Sequence, residues 1–322
     1  MMDNHFKEFV LSSIQGLFSF CLTNVPDNTI SGLVEEVNQS LEYPGPIDST
    51  KTAYIDSSEK ALSAALAVSS LLDGLGDSDE YISGNLTIDK TKQTLGVITS
   101  KLGGILRAGQ RDRVRGLYVI IDPEVTGGRD PFVIAKSAVS GGARVLQLRD
   151  KIRDKGVSIG LANDLQQLCS QNDVLLIIND HVDVAVSVQS GGVHLGQTDL
   201  PPGQARSVLR HTQLIGRSNR EYDQLIASQE MDVDHVAFGP IYATTTKTTG
   251  REPQGAERLS HARSLTTLPL VAIGGINISN IGPVIHAGAD SICVTAAVGL
   301  ADDPEKASHE LVQAIVGAGG KV

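Results

Sequence analysis

LLIINDHVDVAVSVQSGGVHLGQ, residues Leu175 to Gln197, decides the fold. Two short apolar runs rich in β-branched residues, LLIIND and GVHLGQ, each end in polar residues, and an amphipathic, helix-like segment separates them. The same grammar recurs on both sides, in GLYVIID (Gly116–Asp122), VLQLRD (Val145–Asp150), LIGRS (Leu214–Ser218), HVAFGPI (His235–Ile241), PLVAIGG (Pro269–Gly275) and SICVTAA (Ser291–Ala297). The runs start roughly every 25 residues, the length of a compact strand-loop-helix unit. Eight such units predict a closed (β/α)8 TIM barrel over residues 113–322. An open doubly wound sheet is the competing architecture, but no glycine-rich dinucleotide fingerprint follows the first run.

In a parallel barrel the active site is built at the C-terminal ends of the strands, so polar residues just after each apolar run converge. Those positions are Asp122; Gln147, Arg149 and Lys151; Asn179, Asp180 and His181; Gln197 and Asp199; Arg217 and Ser218; Thr244, Thr246 and Lys247; Gly274 and Gly275; Thr295 and Ala296. Asp180 and Asp199 leave successive strands, and a pair of hard oxygen ligands suits Mg2+, which keeps several waters and shares itself with phosphate oxygens. Arg149, Lys151 and Lys247 supply positive charge across the same mouth. Capping of the following helices is the alternative role for either aspartate. On the other side of the mouth Gly274-Gly275 and Thr295-Ala296 follow the seventh and eighth runs, where barrels commonly bind one phosphate group through backbone amides. Glycines there also serve tight turns. Taken together, the mouth is expected to hold a metal-bound polyphosphate and a monophosphate, which points to joining two phosphorylated small molecules.

Composition narrows the partners. The hydrophobic fraction of 41% supports a substantial core, and a net charge of -10 leaves no global basic field to attract nucleic acid. Cys21, Cys169 and Cys293 are widely spaced, which fits packing residues in a reducing cytoplasm better than a disulfide framework or a zinc site. Phe9 to Leu22 is too short to span a bilayer and lacks a basic lead-in, so it reads as a cytoplasmic helix with one apolar stripe.

Residues 1–112 read as an all-helical N-terminal region. Asp56-Ser57-Ser58-Glu59 has capping-box spacing, opens the run Lys60–Leu72 and is closed by Asp73-Gly74. A further stripe from Ile88 to Leu106 predicts a helix ending before Gly109, and Tyr43-Pro44-Gly45-Pro46 is turn chemistry. No catalytic constellation occurs there. A separate helical domain, a cover on the second region, or a contact in a homo-oligomer are all open roles.

Several motifs in the second region resemble the thiamine-phosphate synthase family, from Gly116 to the C-terminus. LQLRDK (Leu146–Lys151), IINDHVDVA (Ile177–Ala185), GVHLGQTDLP (Gly192–Pro201), GPIYATTTK (Gly239–Lys247), AIGGIN and AGADSICV match that family's motifs in order. The resemblance implies transfer of a hydroxymethylpyrimidine group from its diphosphate to the nitrogen of a (carboxy)thiazole phosphate, with release of pyrophosphate. It implies that Gln147 and Asn179 contact the pyrimidine diphosphate, that Arg149, Lys151 and Lys247 hold its phosphates, and that Asp180 and Asp199 bind Mg2+. Ser218 would hydrogen-bond the pyrimidine side, Thr244 and Thr246 would contact the thiazole, and Gly275 with Thr295-Ala296 would hold its phosphate. The threonine-rich GPIYATTTK run is then the seam between the two ligands. Two positions depart from the pattern: Asn219-Arg220 follows Ser218 where Ser-x-His is common, and Ala296 stands in place of a common serine. Among the histidines, His194 reads as a hydrogen-bonded core residue, His181 as a cap or support, and His235 and His286 show no partner. An isomerising barrel acting on thiazole phosphate and a non-catalytic phosphate-binding regulator are the competing readings; neither needs both aspartates together with the cations.

Overall fold

Alternation of inward and outward side chains is what builds the main body. The computed structural model describes residues 4–25, 32, 55–74, 81–83, 86–244 and 252–322. The expected turn at 43–46, together with Thr246 and Lys247, lies outside the described residues. The described chain divides into two units, Met1–Leu106 and Arg107–Val322.

The first unit holds helices α1 (Asn4–Asn24), α2 (Ser58–Asp73) and most of α3 (Ile88–Arg111). Val10, Ile14, Leu17 and Cys21 of α1, Ala61, Ala65, Val68 and Leu72 of α2, and Ile88, Leu95, Ile98 and Leu102 of α3 form one apolar cluster. Their spacing of three and four residues places each set on a single helix face. Ser57 caps α2 by accepting from the Lys60 amide at 3.3 Å. Between α2 and α3 lie two very short antiparallel strands, β1 (Tyr81–Ser83) and β2 (Leu86–Thr87), too brief for any periodicity in the sequence to reveal.

The second unit is a closed barrel of parallel strands in the order β10-β3-β4-β5-β6-β7-β8-β9. The strands are β3 (Gly116–Ile121), β4 (Val145–Leu148), β5 (Leu175–Asn179), β6 (Gly192–Leu195), β7 (Leu214–Asn219), β8 (His235–Phe238), β9 (Leu270–Ile273) and β10 (Ser291–Val294). Each falls within one of the eight apolar runs, except that β7 runs one residue past Ser218. Helices α4 (Pro131–Ser140), α5 (Lys155–Gln171), α6 (Val182–Ser187), α7 (Pro202–Val208), α8 (Tyr222–Gln229), α9 (Gly255–Ser264), α10 (Ile281–His286), α11 (Ala296–Gly299) and α12 (Pro304–Gly317) complete the unit. Leu117, Val119 and Ile121 of β3 pack in the cluster between strands and helices, whereas Tyr118 and Ile120 belong to a separate cluster with Val145, Leu175, Ile177, Leu214, Ala237, Val271 and Cys293. This period of two assigns every strand a barrel-facing and a helix-facing set.

Helix α3, expected to end before Gly109, passes it and ends at Arg111. Its last turn belongs to the barrel unit: Arg107 donates to Asp234 at 3.1 Å and to Asp232 at 2.9 Å, and Arg111 donates to Asp234 at 3.2 Å. These pairs outweigh the roughly 1 kcal/mol penalty of a mid-helix glycine. No described helix is long and apolar enough to cross a membrane. All three cysteines are buried and free, and burial pushes the Cys169 thiol up to about 12.

Candidate active site

Following the barrel-facing parity past the strand ends collects the candidate residues. Tyr118 and Ile120 lead to Asp122, Val145 leads to Gln147 and Arg149, Ile177 to Asn179, Leu214 to Gly216 and Ser218, and Cys293 to Thr295. Asp180 follows Asn179 with a left-handed backbone (φ 61°), a conformation uncommon outside glycine that re-aims the chain at the strand end. Its amide donates to the His194 carbonyl at 2.9 Å, extending the pairing of β5 with β6.

The two aspartates come together. Asp180 closes β5 and Asp199 follows β6, the neighbouring strand. Burial, reinforced by the adjacent Asp180 carboxylate, pushes the Asp199 carboxyl above the usual range. The Gly196 amide donates to Asp199 Oδ2 at 2.7 Å and holds the loop between them. Lys151, from the loop after β4, places its ammonium on Asp180 Oδ2. Arg149 is paired with Asp122, whose side chain is almost wholly buried. Two of the expected cations therefore arrive pre-oriented by carboxylates.

Gln147 is buried and donates through Nε2 to the Tyr118 hydroxyl at 2.6 Å. Ser218 Oγ stands 2.9 Å from His194 Nε2, and the Ser218 carbonyl accepts from Gln197 Nε2 at 2.7 Å. His194 is thus a barrel-interior histidine bonded to a candidate site residue. Arg217 has the opposite parity to Ser218, is only 7% exposed, and reaches Gln197 Oε1 at 3.5 Å.

On the far side, Gly274 and Gly275 have φ of 103° and 65°. A Cβ at Gly275 would lie 2.3 Å from the Ala243 carbonyl oxygen, and one at Gly274 would lie 2.5 Å from Pro240 Cβ. The glycines are required by the close approach of the loop after β8, which carries Thr244. Asn280 Nδ2 donates to the Gly275 carbonyl at 3.0 Å and braces the turn. Thr295 precedes α11, which begins at Ala296.

Asp122 and Gln197, both strand-end positions, enter as supports, and Tyr118 is the support that strand-end reading did not single out. The signal for Asp122 and Tyr118 was their alternation with Leu117, Val119 and Ile121. Nothing in sequence spacing marks a charge pair such as Asp122 with Arg149, 27 positions apart.

Residues 117–298 match the family described as thiamine monophosphate synthase. The chain belongs to the thiamine-phosphate synthase family. It is 37% identical to a thiamine-phosphate synthase of Methanospirillum hungatei over 62% of this chain and 98% of that protein. It is 40% identical to one of Albidiferax ferrireducens over 62% of this chain and 91% of the relative. Among solved structures, the thiamine phosphate pyrophosphorylase from Pyrococcus furiosus superimposes with a TM-score of 0.61 at 30% identity, covering 66% of this chain and all of its own. Membership makes the chain a transferase of thiamine biosynthesis with a TIM barrel, which sets aside the isomerase and regulator readings.

Proposed function

We propose that the mouth of the barrel joins a hydroxymethylpyrimidine diphosphate to a (carboxy)thiazole phosphate, giving thiamine phosphate with release of pyrophosphate and, from the carboxylated form, of CO2, and that Mg2+ takes part through Asp180 and Asp199. The observation carrying the metal assignment is the convergence of these two carboxylates from successive strands, close enough that Asp180 raises the Asp199 carboxyl. Among the described residues no group of three or more His, Cys, Asp or Glu side chains gathers. A pair of carboxylates fits Mg2+, which binds through one or two carboxylates plus water and substrate phosphate oxygens. Bound there, the ion would neutralise charge on the departing pyrophosphate.

The chain's own residues do the rest. Arg149, oriented by Asp122, and Lys151, resting on Asp180, face the diphosphate; each charge-assisted contact contributes on the order of 1.5 to 3 kcal/mol. Gln147, held by one amide hydrogen donated to Tyr118, contacts the pyrimidine diphosphate together with Asn179. Ser218 contacts the pyrimidine from the opposite wall. Thr244, with Thr246 by its motif position, contacts the thiazole, and Gly275 with the Thr295-Ala296 backbone holds the thiazole phosphate. Lys247 is assigned to the leaving diphosphate by the same motif. Fixed positive charge stabilises the growing negative charge on pyrophosphate more than the ground state, so a dissociative displacement follows, with no protein nucleophile. Holding the thiazole nitrogen against the electron-deficient carbon supplies proximity and keeps water away.

The test is to incubate the chain with both phosphorylated precursors and Mg2+ and to measure pyrophosphate and thiamine phosphate together; equal yields are expected. Asp180→Asn and Asp199→Asn should each lower kcat by about 100-fold or more and raise the Mg2+ needed for half-maximal rate. Unchanged kinetics in both variants would remove the metal assignment.

A further inference from the structure

His194 of β6, Gly216 of β7 and His235 of β8 stand in one register row on three neighbouring strands. Their side chains meet inside the barrel, with the two imidazole centroids 5.6 Å apart. A methyl group on residue 216 would lie 2.1 Å from His235 Nε2 and 2.5 Å from His194 Nδ1, so both nitrogens converge over the glycine. On its other side the His194 ring continues to Ser218, with Nε2 2.9 Å from Oγ. His235 is 0% exposed, and neither of its ring nitrogens has a hydrogen-bond partner among the described residues. Burial, followed by the neighbouring His194, holds its pKa well below the usual imidazole value, which keeps the ring neutral. A buried polar ring with unmet donors and acceptors is destabilising, and an apolar ring in its place would carry no such penalty.

We infer that His235 is a positioning residue for Ser218, acting through the ring of His194. Gly216 leaves space above β7, and His235 supplies the wall that keeps the His194 ring in place. No hydrogen bond joins the two rings, so His235 acts through contact and polarity: its ring sets the tilt of His194 and the polar surroundings of Nδ1, and these bias whether Ser218 accepts from Nε2 or donates to it. Only the first arrangement leaves the serine hydrogen for an acceptor in the pyrimidine. The inference rests on the assignment of Ser218 to the pyrimidine made above.

The test compares His235→Phe and His235→Gln in the full chain, alone and combined with Ser218→Ala. His235→Phe should melt at the wild-type temperature or above it, yet lose about 10-fold in kcat/KM for the pyrimidine diphosphate with the KM for thiazole phosphate unchanged. His235→Gln, which keeps a polar tip, should stay within about threefold of wild type, and in the Ser218→Ala background His235→Phe should add less than about twofold. Wild-type kinetics for His235→Phe, or an undiminished loss in the Ser218→Ala background, would overturn the inference while leaving Ser218 in the site. Wild-type kinetics for Ser218→Ala would instead withdraw the pyrimidine assignment, and the inference with it. Should His235→Phe fail to fold, His235→Leu takes its place against His235→Gln under the same criteria.

Discussion

Asp199 is held against its own charge. Its proton is bound more tightly in the folded chain than in the unfolded one, because of burial and then the Asp180 carboxylate. Its contribution to stability is therefore full below the unfolded carboxylate pKa of about 3.9 and is lost as pH rises through the elevated folded value. We expect Asp199→Asn to melt higher than wild type in the absence of metal. The gap should widen from pH 4 to 7 and reach at most about 1 kcal/mol, since the side chain is partly solvated. Thermal melts across that range check it, and a lower melting temperature for the variant would contradict the crowding of the two carboxylates. Gly275 offers a second case. With φ at 65° and the Ala243 carbonyl 2.3 Å from where a Cβ would stand, Gly275→Ala should cost about 2 kcal/mol or more in urea unfolding and raise the KM for thiazole phosphate. At this scale strand ends and alternation, which are periodic signals, marked Asp122, Gln147, Arg149, Asn179, Asp180 and Ser218 as candidates at the ends of their strands. It did not show that Arg149 rests on Asp122 or His194 on Ser218, since partners on different strands leave no local pattern.

Helix α3 carries the lesson for elements. Its apolar stripe was plain in the sequence, but its end was not, because Arg107 and Arg111 prolong it by pairing with residues more than 100 positions away. Asp234 is 0% exposed and also accepts from Arg206 at 2.6 Å and from the Ile215 amide at 2.8 Å. Arg107 is itself only 2% exposed and donates to the His211 carbonyl at 2.8 Å. Removing Arg107 leaves Asp234 with Arg111 and Arg206 but deletes a buried guanidinium and its charge-assisted bonds, so Arg107→Ala should lower unfolding free energy by about 1.5 to 3 kcal/mol in a denaturant titration. The eight strands, by contrast, were legible throughout: each apolar run forms one strand, since buried parallel strands need continuous hydrophobicity that few other elements require.

For the molecule as a whole, the matched region sets what chemistry needs. The 201 residues aligned to the Methanospirillum relative make up 98% of that protein, so the family's barrel occurs there without a counterpart of the first unit. A fragment of residues 105–322, which keeps Arg107 and Arg111, should form thiamine phosphate within about threefold of the full chain. A fragment starting at Arg113 lacks both arginines, and its melting temperature should fall by several degrees or more. Equal melting of the two fragments would show that the arginine cluster is dispensable. The barrel closes only when β10 pairs with β3, joining residues 291–294 to 116–119. During translation β3 must wait, with one flank uncovered, for some 170 residues to be made before its second neighbour exists. An exposed flank of that kind invites pairing with another nascent chain. Ribosome stalling ahead of Ser291 should therefore leave products that depend on chaperones for solubility, and release of the last strand should end that dependence.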